Sequence, residues 1–351
     1  MVVLAEQVTL AAYTTLRLGG PARRFVEAAT TEELVGEIRA ADRRGQPVLV
    51  LGGGSNLVIS DDGFAGTVVH VATRGVDLLG KGVLRAQAGE DWEPFVERCV
   101  DDGLAGVECL SGIPGRLGAT PIQNVGAYGQ DVSETITEVR LYDRTAGSIV
   151  TLDREACGFT YRNSVFKGSD RYVVLAVTFA LEESGESAPI RYAELARALG
   201  VEVGARVPLK DARDAVLELR RGKGMVIDPA DPDTRSAGSF FTNPILDSDQ
   251  LTGLEKRVAE RLGPDARFPR YAEAGGRTKT SAAWLIERAG FAKGHRRGPV
   301  RISTKHTLAL TNPDSARTAD LLELAREVRD GVRAAFGVEL VNEPVFVGVH
   351  L

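Results

Sequence analysis

The N-terminal part of the chain alternates between short apolar runs and one stretch with helical spacing. Thr30 stands three residues before Glu33, which is typical of a capping box at a helix start, and Gly45 is expected to end that helix. Apolar runs predict strands at residues 24–28, 47–51 and 67–71. These signals indicate a βαβ-like unit with a glycine-rich loop after its second strand.

The middle of the chain is richer in strand-like runs. The pattern predicts a helix near 92–100 and a long loop rich in Gly and Pro at 111–129. Further strands are predicted at 83–88, 138–142, 149–151 and 172–181. The polar run 182–189 is predicted to be a linker or a mobile loop.

The C-terminal part returns to helical spacing. Helices are predicted near 211–221, 281–289 and 318–336, and a final strand at 338–349. A Pro/Asp turn at 228–232 separates the first of these helices from the second. A chain of 351 residues is expected to form two or three packed units.

Composition narrows the possible roles. Hydrophobic residues make up 43% and charged residues 26%, the balance of an ordinary globular protein. A net charge of −5 argues against a nucleic-acid or membrane-surface partner, since such proteins usually gather positive charge. No apolar run approaches the ~20 residues of a membrane helix, and the N-terminus does not resemble a signal peptide.

Cysteines and histidines show no metal-binding spacing. Cys99, Cys109 and Cys157 form no C-x-x-C pair, which favours reduced structural thiols and a soluble, cytoplasmic protein. The four histidines are scattered along the chain and show no H-E-x-x-H pattern. We therefore expect no metal site.

Two glycine-rich segments compete for a phosphate-binding role. Residues 75–82 nearly match a P-loop, but Gly82 stands where Ser or Thr is needed, so a plain surface turn is predicted. Residues 52–56 follow a predicted strand but lack the Rossmann fingerprint, because Leu57 stands where a glycine is required. They could form a backbone nest for a pyrophosphate or a tight turn between strands.

A third glycine-rich segment spans residues 112–129. It has too many glycines for a helix or strand and too many apolar residues for a solvent loop. A bound cofactor ring with amide-like edges would suit it, with Gln123 and Asn124 as partners. The alternative is a compact Ω-loop held by its own side chains.

Three motifs in order make the sequence recognisable: GGGSN at 52–56, PIQNVGAYG at 121–129 and GSFFTNP at 238–244. The set resembles the UDP-N-acetylenolpyruvoylglucosamine reductase family from about residue 14 to residue 348. The segments 161–164 and 219–223 are also similar to family segments, and 191–195 resembles the substrate-capping tyrosine loop of its type I members.

The resemblance implies an α+β fold. It consists of a two-lobed FAD-binding fold of the p-cresol methylhydroxylase/vanillyl-alcohol oxidase type plus a C-terminal α+β substrate domain. The expected bounds are 14–181 for the FAD-binding domain (lobes about 14–72 and 83–181), 205–337 for the substrate domain and 338–351 for a terminal strand carrying Glu343. FAD is held without a Rossmann fingerprint in this family.

The implied reaction is the NADPH-dependent reduction of UDP-N-acetylglucosamine enolpyruvate to UDP-N-acetylmuramate through FAD, in peptidoglycan precursor synthesis. The expected partners are these small molecules, with no nucleic acid and no membrane, and the protein is expected to be a monomer. Two alternatives stay open: another oxidoreductase of the same flavin fold, and a nucleotide-sugar binding protein that has lost flavin.

The resemblance also assigns catalytic roles. Ser239 is expected to donate the proton, while Arg162 and Glu343 flank the substrate carboxylate. A carboxyl beside another carboxylate should have a raised pKa, so a protonated Glu343 could donate a hydrogen bond. The alternatives are a cap or turn for Ser239, a surface ion pair for Arg162 and a strand-end charge for Glu343. The sequence Asn-Glu-Pro-Val at 342–345 departs from the family's Pro-Glu-Val-Arg.

Two binding sets complete the expectation. The FAD-binding set is Gly52, Gly53, Gly54, Ser55, Asn56, Gly115, Gln123, Asn124 and Gly126. The set for substrate and NADPH is Tyr128, Tyr161, Tyr192, Arg220, Lys223 and Asn243. Arg220 and Lys223 suit a diphosphate chemically, and the alternative for Tyr128 is a packed loop aromatic.

Overall fold

A computed structural model describes residues 3–5 and 7–351. Contacts within the chain divide it into two compact units. Unit 1 contains the described residues up to Val8 together with Pro21–Gly54 and Phe64–Val226, and unit 2 contains Thr9–Gly20, Ser55–Gly63 and Ile227–Leu351. The domain bounds expected from the sequence stay a prediction.

The elements follow in chain order. The helices are α1 Thr31–Arg43, α2 Trp92–Asp101, α3 Ala193–Leu199, α4 Leu209–Gly222, α5 Ser248–Leu262, α6 Ala282–Arg288 and α7 Thr318–Phe336. The strands are β1 Val3–Ala5, β2 Val8–Thr9, β3 Pro21–Ala28, β4 Val48–Leu51, β5 Leu57–Ile59, β6 Phe64–Val71, β7 Val76–Gly80, β8 Val83–Gln87, β9 Leu104–Ala105, β10 Gly126–Ala127, β11 Gln130–Asp131, β12 Ile136–Asp143, β13 Ser148–Asp153, β14 Tyr172–Ala180, β15 Glu182–Glu183, β16 Ile245–Leu246, β17 Tyr271–Glu273, β18 Arg277–Lys279, β19 Arg296–Arg297, β20 Val300–Ile302, β21 Leu310–Thr311 and β22 Val345–Val347. Short 3₁₀ turns lie at Leu10–Tyr13, Glu108–Leu110, Leu117–Ala119, Val132–Glu134, Pro232–Thr234 and Ala274–Gly276.

The first sheet of unit 1 confirms the βαβ-like prediction. Strands β3 and β4 both pair in parallel with β6, which lies between them, and α1 packs against this sheet. Thr30 caps α1 by accepting a hydrogen bond from the amide of Glu33, whose carboxylate accepts one from the amide of Ala29. The buried face of α1 includes Leu34 and Ile38, because apolar residues recur there at helical spacing.

The second sheet of unit 1 is antiparallel, in the order β13-β12-β14-β8-β7. Helix α2 belongs to the same core, where the rings of Trp92, Phe95 and Phe179 lie within 5.2–6.1 Å of one another. The segment compared above with a P-loop forms edge strand β7 and, at Gly82 with φ of +63°, the turn into β8. It is a hairpin and not a phosphate loop.

The prediction of a linker or a mobile loop at 182–189 is wrong, because this segment is packed within unit 1. Strand β15 pairs with β9, and Ser187 is fully buried, with its amide donating to the carbonyl of Val207 at 2.7 Å. The carboxylate of Glu108, also fully buried, accepts a hydrogen bond from the amide of Ala188. A polar composition suggested mobility, but buried partners distant in the sequence hold the segment in place.

Unit 2 is built around α7, whose bounds are those predicted. Its buried residues include Val328 and Phe336, which share a core with Phe240, Leu285 and Val338. Helix α5 is not among the predicted helices, although Asp247 and Gln250 form a capping box at its start. None of the helices in the described residues is long and apolar enough to cross a membrane.

The predicted final strand at 338–349 is wrong over most of its length. Only Val345–Val347 is a strand, and it pairs in parallel with β5. Before it, Asn342 makes an isolated antiparallel bridge with Phe241. Pro344 interrupts regular pairing because it has no N–H to donate, and its carbonyl accepts a hydrogen bond from Nδ2 of Asn342.

Candidate active site

Two glycine loops of unit 1 touch backbone to backbone. A Cβ on Gly53 would lie 2.7 Å from Cα of Gly115, a distance that real Cβ atoms essentially never show. Gly54 is buried and has φ of +59°, which favours glycine. Within the described residues, the amides of Gly53 and Gly54 donate no hydrogen bond to the protein. We call residues 52–54 and 115–116 the cradle. Its glycines allow the two loops to approach closely and leave backbone N–H groups available to a ligand.

Arg116 adds positive charge to the cradle. Its Cβ lies 3.4 Å from the position that a Cβ on Gly52 would take. Its guanidinium pairs with the carboxylate of Asp91, while its Nε is buried and has no hydrogen-bond partner in the described part of the chain. Arg116 is not among the residues predicted above, although a basic residue directly after Gly115 is a usable signal.

Asn124 is occupied within the protein. Its side chain is buried, Nδ2 donates to the carbonyl of Thr160 at 3.0 Å, and Oδ1 accepts from the amide of Ser133 at 3.1 Å. Its φ of +46° is uncommon for a residue other than glycine. Asn124 thus shapes the loop that contains Gln123, which is itself half-buried.

Arg162 is fixed against the same loop. Its guanidinium donates from Nη2 to the carbonyl of Gly126 at 2.5 Å and from Nη1 to that of Asn124 at 3.3 Å. Asp131 lies 3.5 Å away, and the guanidinium carbon is 5.2 Å from the ring centre of Tyr161. A Cβ on Gly126 would overlap with the carboxylate of Asp131 and approach Nη1 of Arg162, so a larger residue there would displace these two side chains. With most of its side chain covered and carbonyls as partners, Arg162 is more than a surface ion pair.

Tyr128, Tyr192 and Lys223 form a second cluster in unit 1. The two tyrosine rings meet edge to face with centroids 5.6 Å apart, and Nζ of Lys223 lies 5.4 Å from the ring centre of Tyr128. Burial raises the pKa of Tyr128 to about 12, while Arg220 opposes this shift and Glu194 adds to it. Tyr192 is 46% exposed.

Arg220 lies close to the glycine-rich loop. It is buried, its Nη2 donates to the carbonyl of Met225 at 3.0 Å, and its Nε has no partner in the described chain. Burial lowers the pKa of this guanidinium. Nearby, the carboxylate of Glu93 accepts hydrogen bonds from the amide of Gly112 and from Arg213, and burial raises its pKa above the ordinary value. Glu93, which the sequence analysis missed, links α2 to the loop and to α4.

Ser239 and Glu343 come together in unit 2. The amide of Glu343 donates to the carbonyl of Phe240 at 2.9 Å, one residue along from Ser239. Phe240 and Phe241 are buried and anchor this segment in the core, while Ser239 and Glu343 are half-buried. Ser239 follows Gly238, whose φ is +72°. The fold thus places Ser239 and Glu343, about a hundred residues apart in the sequence, on neighbouring backbone segments.

Asn56 supports the Glu343 segment. Its carbonyl accepts from the amide of Val345 at 2.9 Å, and its Nδ2 donates to the carbonyl of Glu343 at 3.4 Å. Ser55 precedes it in the turn before β5. Oδ1 of Asn243 accepts from the amide of Ala282 at 3.0 Å, so this oxygen caps α6.

Each unit therefore gathers its own part of the predicted site. Unit 1 holds Gly52, Gly53, Gly54, Gly115, Gln123, Asn124, Gly126, Tyr128, Tyr161, Arg162, Tyr192, Arg220 and Lys223. Unit 2 holds Ser55, Asn56, Ser239, Asn243 and Glu343. No cluster of metal-ligating side chains occurs among the residues described.

Known proteins resemble this chain along its whole length. A family model described as an FAD binding domain matches residues 22–153, and one described as the C-terminal domain of UDP-N-acetylenolpyruvoylglucosamine reductase matches residues 229–347. The UDP-N-acetylenolpyruvoylglucosamine reductase of Thermobifida fusca is 63% identical, over 99% of this chain and 99% of its own. That of Streptomyces avermitilis is 61% identical, over 97% and 94%. The crystal structure of the Thermus caldophilus reductase has 26% identity and a TM-score of 0.67, covering 99% of each chain.

Proposed function

The chain belongs to the UDP-N-acetylenolpyruvoylglucosamine reductase family, and we propose from this premise how its residues divide the reaction. It reduces UDP-N-acetylglucosamine enolpyruvate in peptidoglycan precursor synthesis, with FAD as cofactor and NADPH as reductant. The α+β fold class, the cofactors and the activity predicted from the sequence are confirmed. The two alternative functions, another flavin oxidoreductase and a flavin-free binding protein, are therefore rejected in favour of the reductase.

The cradle of unit 1 fits the pyrophosphate of FAD. Unpaired amides at Gly53 and Gly54, glycine at the Gly53–Gly115 contact and the charge of Arg116 together suit a dianion. We assign Gly52, Gly53, Gly54 and Gly115 to this contact. Asn124 and Gly126 would shape the loop that carries Gln123. The FAD contacts expected of Ser55 and Asn56, which belong to unit 2, stay a prediction.

When bound, FAD supplies the hydride that reduces the double bond of the substrate. The chain's own residues must then stabilise negative charge next to a carboxylate and deliver one proton to carbon. Ser239 would give its hydroxyl proton to the carbon that bears the carboxylate, and its alkoxide would regain a proton from solvent. Glu343 would donate a hydrogen bond to the enolate, and Arg162 would bind the carboxylate.

One observation carries this assignment. The hydrogen bond from the amide of Glu343 to the carbonyl of Phe240 supports it, because this bond holds the backbone of Glu343 next to the segment that contains Ser239. A turn or cap would account for Ser239 alone, but not for the pairing of its segment with the segment that carries Glu343. Tyr128, Tyr161, Tyr192, Arg220, Lys223 and Asn243 would bind the nucleotide parts of the substrate and NADPH.

The cellular location, the oligomeric state and the domain bounds are also proposals. We place the enzyme in the cytoplasm as a monomer acting on small molecules, without nucleic-acid or membrane partners. Its three cysteines are free and buried, which supports a reducing compartment. The domain bounds 14–181 and 205–337, and the tyrosine loop of type I at 191–195, belong to the same proposal.

Single-turnover kinetics of Ser239→Ala test the assignment. Flavin reduction by NADPH should keep its rate, whereas flavin reoxidation by the enolpyruvyl substrate should slow by ~10²–10⁴-fold. Ser248→Ala, at an exposed position of α5, is the matched control and should behave as the unmodified enzyme. Equal rates for both half-reactions in Ser239→Ala would show that the hydroxyl is not the proton donor.

A further inference from the structure

Lys223 already has an anionic partner inside unit 1. Its Nζ lies 2.6 Å from Oε2 of Glu194, and the two side chains are 30% and 34% exposed. The same Nζ lies over the ring of Tyr128, which meets Tyr192 edge to face. The cation assigned to the nucleotide is therefore held by a carboxylate and an aromatic ring.

Glu194 reaches Lys223 because two short helices pack together. It lies in the first turn of α3, two residues after Tyr192, and Lys223 is the C-cap residue that follows α4. Leu195 of α3 and Val216 of α4 belong to one buried cluster, against which Tyr128 also packs. The ion pair thus forms between two anchored backbones, which lowers the entropy lost in holding it.

A second cation stands close to this pair. Arg220 precedes Lys223 by one turn, is 8% exposed and leaves its Nε without a partner among the described residues. Its charge contributes to the electrostatics of Tyr128, as does that of Glu194. The two cations have different anionic neighbours: Glu194 pairs with Lys223, whereas Glu93 is the carboxylate whose charge acts on Arg220.

We propose that Glu194 sets the affinity of this site for diphosphates, by occupying Lys223 until a ligand with greater negative charge replaces it. This inference rests on the proposed role of Lys223 in nucleotide binding. A diphosphate can outcompete one carboxylate because it brings more charge and more acceptor oxygens to the same two cations. A neutral nucleoside gains nothing from the exchange, so Glu194 selects ligands by charge.

The cost of displacing Glu194 lowers the apparent affinity of every ligand that uses Lys223. A site whose binding-competent state is only partly populated binds more weakly in proportion to that population. Removing the carboxylate should therefore strengthen diphosphate binding, although the substitution deletes a native contact. A residue with a purely structural role would not give this gain.

Calorimetric titration of the FAD-loaded enzyme with UDP and with uridine tests the proposal. Glu194→Gln should lower the Kd for UDP about two- to fivefold and leave that for uridine unchanged. Glu134→Gln is the matched control, because Glu134 pairs at 2.9 Å with Arg191, next to Tyr192, and not with Lys223. It should bind UDP as the unmodified enzyme does.

A double-mutant cycle separates this inference from the function on which it rests. In the Lys223→Gln background, Glu194→Gln should no longer strengthen UDP binding. If Lys223→Gln weakens UDP binding but Glu194→Gln never strengthens it, the role of Glu194 is wrong and that of Lys223 stands. If Lys223→Gln binds UDP with unchanged affinity, both assignments are overturned.

Discussion

The two units hold their candidate site residues by different means. In unit 1 side-chain contacts hold the site residues in place: Arg162 binds loop carbonyls, Asn124 bridges two backbone groups and Lys223 pairs with Glu194. Asn124, Tyr128 and Arg162 also have φ of +46°, +49° and +53°. Each such conformation costs of order 1–3 kcal/mol in a residue other than glycine, so the surrounding contacts must hold it.

In unit 2 the backbone does more of this. Amide–carbonyl bonds from Glu343 to Phe240 and from Val345 to Asn56 hold the Glu343 segment, and the side chain of Asn56 adds a bond to the carbonyl of Glu343. The side chains of Ser239 and Glu343 can therefore be changed while these bonds remain. Substitutions in unit 2 should therefore change the chemistry with little effect on stability, whereas those in unit 1 should change binding and stability together.

After Ser239→Ala, the largest expected effect is at Glu343. Glu343→Ala should slow flavin reoxidation by ~10²–10³-fold, the usual result of losing one donor to a developing negative charge. Glu343→Gln keeps a hydrogen-bond donor and should retain most of the rate, as expected if the carboxyl acts in its neutral form. Stopped-flow absorbance of the flavin measures both, and a Gln variant as slow as the Ala variant would require a charged carboxylate.

Gly53→Ala should break the cradle of unit 1. The added Cβ would lie 2.7 Å from backbone of Gly115, so the loops must separate, at ~1–3 kcal/mol of unfolding free energy and with loss of bound FAD. Flavin absorbance per protein and urea unfolding measure the two losses.

Gly36→Ala is the matched control for that substitution. Gly36 lies in α1 and nothing approaches its Cβ position within 4 Å. Alanine should stabilise this helix by ~0.5–1 kcal/mol and leave FAD binding unchanged. Full FAD occupancy in Gly53→Ala would show that the cradle does not bind FAD.

Tyr192→Ala should change binding only modestly. It removes the edge-to-face contact with Tyr128, worth ~0.5–1.5 kcal/mol, so KM for the enolpyruvyl substrate should rise about two- to tenfold at constant kcat. Tyr271→Ala, at a tyrosine of unit 2 that is 53% exposed, is the control. An unchanged KM in Tyr192→Ala would argue against a substrate-capping role.

The smallest effect concerns the ionisation of Tyr128. Burial raises its pKa from 10.0 to about 12, so folding favours the neutral phenol. Its contribution to stability is complete below pH 10 and is lost as pH rises towards 12. Tyrosinate absorbance should contain one group ionising near pH 12 that is absent from Tyr128→Phe. An unchanged titration curve in that variant would contradict the buried environment.

The fold was predictable where apolar spacing is strong. Helix α7 buries a continuous apolar stripe and its bounds were found, whereas α5 buries only Leu254 and Val258 and was missed. The final strand was predicted too long, because the apolar spacing was weighted above Pro344, which cannot donate a hydrogen bond to a sheet. Local patterns therefore identified elements with many buried positions and failed where tertiary contacts decide.

Candidate site residues could be predicted only where they lie within contiguous sequence motifs. Motifs pointed to Ser239, Arg162 and the glycine loops, whose roles stay predictions. They did not reveal Glu93 or Glu194, because these residues act through partners distant in sequence, whereas Arg116 directly follows Gly115 and could have been found. The pairs Glu93–Arg213 and Glu194–Lys223 join residues 120 and 29 positions apart, and no local pattern encodes them.

Deuterium placement during a single turnover in D₂O tests the central claim, that a hydroxyl in unit 2 delivers the proton to carbon. The unmodified enzyme should put one deuterium on the carbon that bears the carboxylate, in a single configuration. Ser239→Ala should form product slowly and with both configurations at that carbon, because solvent then supplies the proton from either side. Product formed by Ser239→Ala at an unchanged rate and in one configuration would contradict the account.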